Sequence, residues 1–345
     1  MMNSNRTDQL QGRPAQDDRG PRVDMLAVAR VAQEVDAAAF NLPGAVKLVA
    51  PAKVNLYLDI GRKRADGYHD AATVMHALLL HDVLRMRLAP AVPGEGLVVE
   101  LSSRACEGVA PLDVAPEDNI VSKAVRRLAH AVGREQDETL IVHLEKHIPS
   151  QAGLGGGSSD AAAALVGAAR LWGLEPDDSR IEEAARALGA DVAFFLHGGC
   201  ACLTGVGDVF DHRLDPMDSF VVLIKPDGGV STAAAYRAFD ESPNPSARAD
   251  REAALSALRA KDVPLRNNLV RASELLLPEL ATVRTWAEGH DDVEAALMSG
   301  SGSALFAVCR SFEGASRVAA QAQAQGWWAR STMFGPARAA AVPAR

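Results

Sequence analysis

The chain has 345 residues and a formal net charge of −8, from 36 basic and 44 acidic side chains. This length predicts two domains rather than one, with enough apolar sequence for a sizeable core. The excess of acidic side chains excludes a surface that is positive overall and would attract nucleic acid. A polyanionic ligand would have to be met by a few local cations and backbone N–H groups.

The sequence predicts neither a membrane span nor a secretory signal. No apolar run approaches the roughly 20 residues of a membrane span, and the start has no apolar signal-peptide region. The cysteines, Cys106, Cys200, Cys202 and Cys309, include no CxxC pair, which favours buried reduced thiols over a metal site. We therefore predict a cytoplasmic protein without membrane or nucleic-acid partners, while its oligomeric state stays open.

Residues 1–44 form a polar extension. The first 22 residues are charged and almost free of large apolar side chains, which favours disorder. Between Met25 and Phe40, apolar side chains recur near helical spacing and predict one short amphipathic helix. The folded body is expected to begin near Ala45, with one domain over residues 45–213 and a second over residues 214–340.

The first domain is predicted to open with a strand. In "KVNLYLDIG", apolar side chains alternate with polar ones from Lys53 to Asp59, so one face enters the core and the other meets solvent or a ligand. "GLVVEL" and "TLIVHLEKHIP" also predict strands. Residues 119–132 predict a helix, because their apolar side chains form one stripe, and the alanine-rich residues 161–171 predict a second.

The pattern begins again after residue 213. "FVVLIKP" predicts a buried strand, residues 250–260 and 268–288 predict helices, and "ALMSGSGSALFAV" predicts two strands joined by a tight turn. A helix over about residues 312–325 and a final strand close the body. Because strands and helices do not alternate strictly, the sequence predicts two α+β domains rather than a doubly wound sheet.

A glycine-rich stretch, "SQAGLGGGSSDAAAAL", is the most informative feature. Four glycines precede a predicted helix that has Ser158 and Ser159 at its start, which favours a phosphate-binding loop over a flexible turn. A Walker loop would need a lysine after its last glycine, and Ser158 stands where the dinucleotide pattern needs its third glycine. The cation that meets a phosphate must therefore come from elsewhere in the chain.

Three further motifs are ambiguous when each is taken alone. "RADGYHD" is typical of a β-turn followed by an exposed aromatic side chain, and Ser299–Gly302 is typical of a hairpin turn. Asp191, in "LGADVAFFLHGG", lies just beyond a further predicted helix that Gly189 is expected to end. A cap for the next turn and a functional carboxylate are equally consistent with that position.

Together these motifs resemble a known family. "PAKVNLYLDI", "GLGGGSSDAA" and "MSGSGSALFAV" are similar, in order and spacing, to the three motifs of the GHMP kinase superfamily of small-molecule kinases. "PAKVNL" with "RADGYH", "EDN" and "LGADV" narrows the resemblance to the 4-diphosphocytidyl-2-C-methyl-D-erythritol kinases of the non-mevalonate isoprenoid pathway. It covers about residues 45–335. It implies an α+β fold with a ribosomal S5 domain 2-like N-terminal domain and a ferredoxin-like C-terminal domain.

The resemblance also implies a reaction, the ATP-dependent phosphorylation of the 2-hydroxyl group of the cytidylyl substrate. It assigns catalysis to Lys53 and Asp191. The aspartate would take the hydroxyl proton, and the lysine would stabilise the developing negative charge. Mg²⁺ is expected with ATP; its protein ligand is not implied, and Ser159 is the nearest candidate.

The implied binding positions form two sets. Those for ATP are Pro149, Ser150, Gln151, Ala152, Gly153, Leu154, Gly155, Gly156, Gly157, Ser158, Ser159, Asn119, Lys146, Gly300, Ser301 and Gly302. Those for the cytidylyl substrate are Asn55, Tyr68, His69, Thr232 and Tyr236. The two tyrosines are expected to stack on the cytosine base from opposite sides.

Three departures from the family pattern and two alternative functions remain. Ala193 and Ser303 stand where proline is common in the family, and the N-terminal extension has no counterpart in it. A sister GHMP kinase for another alcohol would keep the glycine loop but lack "RADGYH". A GHMP-fold binding protein without catalysis would have a broken loop or lack the base; the presence of Lys53, Asp191 and all four glycines favours an enzyme.

Overall fold

The computed structural model describes residues 40, 44–91, 93–134 and 136–343. The N-terminal extension and the helix predicted over residues 25–40 therefore lie almost wholly outside the described residues. Leu42–Arg345 forms one compact unit.

Eight strands form the larger of two sheets. They are β1 (Val46–Lys63), β2 (His69–Ala89), β3 (Leu97–Ala105), β4 (Glu138–Lys146), β5 (Cys200–Thr204), β6 (Val209–Leu214), β8 (Arg266–Asn267) and β12 (Ala340–Val342). The order is β12–β1–β2–β4–β3, with β5 on β2, β6 on β5 and β8 on β1. The long antiparallel pair of β1 and β2 is the centre of this sheet.

Four antiparallel strands form the smaller sheet, in the order β11–β7–β10–β9. They are β7 (Phe220–Lys225), β9 (Val293–Met298), β10 (Leu305–Cys309) and β11 (Trp328–Met333). Because β8 and β12 come from the second half of the chain and pair with β1, the two halves share the larger sheet. The predicted domain limits stay a prediction.

The described residues contain nine α-helices. They are α1 (Ile120–Ala131), α2 (Gly156–Leu171), α3 (Ser179–Leu188), α4 (Ala190–His197), α5 (Thr232–Glu241), α6 (Arg248–Ser256), α7 (Val270–Leu276), α8 (Glu279–Glu288) and α9 (Phe312–Ala324). The helix predicted over residues 268–288 is two helices, α7 and α8, with Leu277 and Pro278 between them. In the part of the chain described, no helix combines the length and the apolar character that a membrane crossing requires.

The alanine-rich helix α2 lies in the middle of the larger core. Ala161–Ala164 and Leu165 are all fully buried, among side chains from β1, β2, β4 and α1. Small side chains let this helix approach the sheet closely: a Cβ atom at Gly167 would lie 2.4 Å from the sulfur of Met86. The core therefore fixes α2, and with it the glycine loop from which α2 begins.

His76 is a fully buried histidine on β2. Its Nδ1 donates to the carbonyl oxygen of Ala77 at 2.8 Å, and its Nε2 accepts the N–H of Met217 at 3.0 Å. A ring that donates at one nitrogen and accepts at the other is neutral. Burial accordingly lowers the pKa of His76 from 6.5 to about 4.

Acid should therefore destabilise the fold through His76. Between pH 6.5 and about 4 the unfolded chain takes up a proton that the folded chain does not. Stability present at neutral pH is thus lost as the pH falls, by up to about 3 kcal/mol. His76→Gln, which keeps a donor and an acceptor, should flatten this loss in urea unfolding measured from pH 7 to 4.5. An unchanged pH dependence would contradict the assignment.

Candidate active site

The glycine loop opens α2 with its backbone donors uncapped. Gly155 is the N-cap residue, has φ 70° and offers no side chain to cap the helix. The first N–H groups of a helix have no intrahelical partner, and they lie at the positive end of the helix dipole. Such an end is a ready anion site.

A groove of about 340 Å³ runs along this loop. Its lining includes every loop position expected at ATP except Ser159, and also Asn119, Lys146 and Asp160. Asn119 caps α1, because its Oδ1 accepts the N–H of Val121 at 2.9 Å. The structure therefore gathers most of the expected nucleotide positions around one groove.

Two of the loop glycines are required by close packing. Gly153 has φ 73°, and a Cβ atom there would lie 2.0 Å from the carbonyl oxygen of Ser299. Gly155 would place a Cβ atom 2.8 Å from the ring of Phe195 and 3.0 Å from Cγ of Lys53. Close packing therefore excludes a side chain at both positions, which the sequence did not indicate. At Gly155 the loop packs directly against Lys53 and α4.

Gly157 and Gly153 offer a matched pair of substitutions. A methyl group at Gly157 would meet only Ile120, at 3.8 Å, so Gly157→Ala should fold with an equal or higher thermal midpoint because alanine favours helices. If phosphates lie over the loop, its ATP dissociation constant should rise several-fold.

Gly153→Ala should instead lower the thermal midpoint, because positive φ and the Ser299 carbonyl both oppose a side chain there. Thermal denaturation and ATP titration of both variants are the measurements. Wild-type ATP affinity in Gly157→Ala would show that phosphates do not approach that position.

Lys53, Asn55 and Asp191 converge beside the loop. Lys53 is 4% exposed, and its Nζ donates to Oδ1 of Asn55 at 2.7 Å and lies 3.6 Å from Oδ2 of Asp191. Its backbone N–H donates to the carbonyl of Leu154 at 3.0 Å. Asn55 in turn donates to the hydroxyl of Thr73 at 2.8 Å. The cation that the glycine loop itself lacks is thus supplied by β1.

Asp191 is not a helix cap. It is the second residue of α4, and the N-cap residue is Gly189, which makes no side-chain cap. Its side chain is 37% exposed and faces the buried ammonium of Lys53. A carboxylate in the first turn of a helix is also favoured by the helix dipole. The structure thus removes the capping interpretation and leaves an accessible carboxylate beside a fixed cation.

The third motif, around Ser299–Ala304, hydrogen-bonds to the backbone of the glycine loop. The N–H groups of Ser303 and Ala304 donate to the carbonyls of Gln151 and Ala152, at 3.3 and 3.0 Å. Gly300, Ser301 and Gly302, which were expected at ATP, are not among the described residues that line the groove. Their position favours a role in shaping the loop, and their contact with ATP stays a prediction.

Lys146 is held by two buried carboxylates. Its Nζ donates to Oδ2 of Asp160 at 2.6 Å and to Oδ2 of Asp82. Asp82 also accepts the N–H of Ile148 at 2.8 Å. Burial disfavours the ammonium, but the two carboxylates outweigh this and raise the pKa of Lys146. Burial raises the pKa of Asp160, against the opposing effect of Lys146. Lys146 thus ties β4 and β2 to the start of α2.

One face of α5 carries the opposite wall of the site. Thr232, Tyr236 and Asp240 are four residues apart and so share a helix face. The Thr232 hydroxyl is 3.0 Å from that of Ser301. The Tyr236 ring packs edge-on against His69 at 5.1 Å, and Asp240 binds Nε2 of His69 at 2.6 Å.

Burial and then the charge of Asp191 raise the pKa of Tyr236. The face of α5 therefore runs from the neighbourhood of Asp191 to His69. Tyr68, expected to stack on a base, is 65% exposed and directly precedes β2. No described ring packs against it, so the expected sandwich with Tyr236 stays a prediction.

The sequence matches two domain profiles. "GHMP kinases N terminal domain" covers residues 119–199, and "GHMP kinases C terminal" covers residues 254–326. The 4-diphosphocytidyl-2-C-methyl-D-erythritol kinase of Desulfitobacterium hafniense is 40% identical over 279 residues, 80% of this chain and 91% of that protein. The protein of that name from Nocardia farcinica is 39% identical over 314 residues, 87% of this chain and 97% of that protein.

A solved structure of 4-(cytidine 5'-diphospho)-2C-methyl-D-erythritol kinase is similar with a TM-score of 0.69 at 33% identity, covering 84% of this chain and 99% of that one. The chain belongs to the 4-diphosphocytidyl-2-C-methyl-D-erythritol kinase family. Homoserine kinase from Cytophaga hutchinsonii, at 21% identity and a TM-score of 0.64, shares the fold. The predicted α+β GHMP kinase fold is confirmed.

Two of the three departures, Ala193 and Ser303, each add a backbone donor that proline would lack. The N–H of Ala193 points to the Gly189 carbonyl at 3.4 Å, within the first turn of α4. Ser303 donates through its N–H to Gln151 and through its hydroxyl to the carbonyl of Gly228 at 3.1 Å. Neither change disturbs the contact between Lys53 and Asp191.

Several residues of this kinase site were missed from the sequence. Ser299 was interpreted only as part of a hairpin turn, and the spacing of Asp240 from Tyr236 could have placed both on one helix face. Asp82 gave no signal, because its partner Lys146 is 64 positions away in the chain. Asp160 lies within the motif "GLGGGSSDAA" but was not named, because only the fold brings it to Lys146.

Proposed function

We propose that this chain is an ATP-dependent kinase that phosphorylates the 2-hydroxyl group of 4-diphosphocytidyl-2-C-methyl-D-erythritol. The observation that carries the proposal is the pairing of Lys53 with an accessible Asp191, 3.6 Å apart, beside the uncapped start of α2. Two relatives that carry the name of this kinase match the chain over 91% and 97% of their own length.

The proposed transfer needs little covalent help from the protein. The hydroxyl oxygen attacks the γ-phosphorus, the bond to the β–γ bridging oxygen breaks, and ADP leaves. Asp191 takes the hydroxyl proton. Lys53, held by Asn55, stabilises the negative charge that develops on the transferring group. The uncapped N–H groups of α2 bind the phosphates.

Two unpartnered oxygens fit an Mg²⁺ ion beside the loop. The hydroxyl oxygen of Ser159 and Oδ1 of Asp160 are buried and make no hydrogen bond among the described residues. Oxygen ligands of this kind suit Mg²⁺, and Asp160 lines the groove. We propose that these two side chains hold the ion. When bound, it neutralises charge on the phosphates.

Ser159→Ala should separate metal binding from nucleotide binding. The variant should need several-fold more Mg²⁺ for half-maximal activity, because one oxygen ligand is lost, while ATP binding measured in EDTA should be unchanged. Equal weakening of both would show that Ser159 only supports the fold of the loop.

The pair of Lys53 and Asp191 decides between an enzyme and a binding protein. Asp191→Asn keeps the size of the side chain but cannot take the proton, so kcat should fall by about 10²–10⁴. ATP affinity should change little, because the loop and not Asp191 binds the phosphates. Lys53→Met should also lower kcat, and the double variant should lose far less than the product of both effects.

The measurements are steady-state kinetics and nucleotide binding on the single and double variants, with a panel of alcohols that includes the cytidylyl substrate. Thermal midpoints near that of the wild type are the control for folding. Near-normal turnover of Asp191→Asn would rule out Asp191 as the group that takes the hydroxyl proton. Phosphorylation of another alcohol in the panel in preference to the cytidylyl one would favour a sister GHMP kinase.

A further inference from the structure

An unassigned carboxylate lies behind the histidine expected at the base end of the site. Oδ1 of Asp240 is 2.6 Å from Nε2 of His69, and Oδ2 of Asp240 is 3.2 Å from Nζ of Lys63. The bond to His69 and then that to Lys63 lower the pKa of Asp240, so the carboxylate is ionised at neutral pH. An ionised carboxylate accepts hydrogen bonds only.

The bond to Asp240 therefore decides where the proton of the His69 ring lies. Because Asp240 can only accept, Nε2 of His69 carries a proton, and in the neutral ring Nδ1 is an acceptor. The edge-on contact with Tyr236 fixes the plane of the same ring. His69 is 7% exposed, so both its orientation and its tautomer are set by α5.

An acceptor at this place can distinguish two pyrimidines. Cytosine carries an amino group at C4, which donates, whereas uracil carries a carbonyl oxygen there, which accepts. We propose that Asp240 is a positioning residue that holds His69 in the tautomer whose Nδ1 accepts from the cytosine amino group. This inference rests on the proposed function, and it makes Asp240 the source of selectivity for a cytidine-linked over a uridine-linked substrate.

Asp240→Asn tests the inference at nearly constant shape. A neutral amide can also donate to Nε2, which lets Nδ1 carry the proton and turns the acceptor into a donor. The ratio of kcat/KM for the cytidine-linked alcohol to that for its uridine-linked counterpart should fall by about tenfold or more. The KM for ATP and the kcat at saturating cytidine-linked substrate should stay near their wild-type values.

Two variants serve as controls on the same wall. Lys63→Gln removes the ion pair with Asp240, in which the lysine side chain is 56% exposed, and leaves the bond to His69. Its selectivity ratio should be that of the wild type. Tyr68→Ala should raise KM for both substrates by roughly tenfold, because stacking tolerates any base, and should leave the ratio unchanged.

A second measurement does not depend on turnover. Nitrogen NMR of the free protein, with the His69 ring assigned through His69→Gln, should report a proton on Nε2 in the wild type and a changed tautomer in Asp240→Asn. A wild-type ratio in Asp240→Asn would overturn the inference, as would an equal fall in Lys63→Gln or a wild-type ring bearing its proton on Nδ1. Absence of any transfer to the cytidylyl alcohol by the wild type would instead overturn the proposed function.

Discussion

One hydroxyl group joins the three segments on which the site depends. Ser299 donates to the carbonyl of Gly153 at 2.8 Å and accepts the N–H of Asn55 at 3.3 Å. It thereby links the glycine loop and β1 to the turn between β9 and β10. The contact is possible only because Gly153 has no side chain. Lys53 can face Asp191 because its own strand is held against the loop in this way.

Buried charge fixes the other side of the loop. Lys146, Asp82 and Asp160 are each almost fully buried, and buried charges are tolerable only when they are paired and hydrogen-bonded. The ammonium reaches the first turn of α2, so a change in its pairing would move the N–H groups that face the groove. The groove is therefore held by polar contacts on both sides of the loop, at Ser299 and at Lys146.

The sequence predicted the architecture better than it predicted the chemistry. Alternation from Lys53 to Asp59 predicted β1, but it could not say what covers the polar face. In the structure Lys53, Asn55 and Asp59 are nearly as buried as the apolar face. No element was predicted for β2, because most of its side chains are buried on both faces and the alternation that indicates a strand is lost.

The site itself was predicted in part, for physical reasons. The loop and Lys53 lie within motifs whose letters are distinctive. Asp191 was equally consistent with a cap until the backbone showed Gly189 in that position. The spacing of Asp240 from Tyr236 indicates a shared helix face but not the contact with His69, which is 171 positions away in the chain and comes alongside only in the fold.

The two ends of the site are built differently, and this difference bears on how the proposed reaction is driven. The reacting end is rigid: Lys53 and Asn55 are buried, and Ser299 has no exposed surface. The base end combines a fixed His69 with the exposed turn that carries Tyr68. Contacts with a part of the substrate that does not react can supply the binding energy that orients the hydroxyl group for transfer. In the proposed reaction the base can bind against the exposed Tyr68, while the geometry between Asp191 and Lys53 does not have to change.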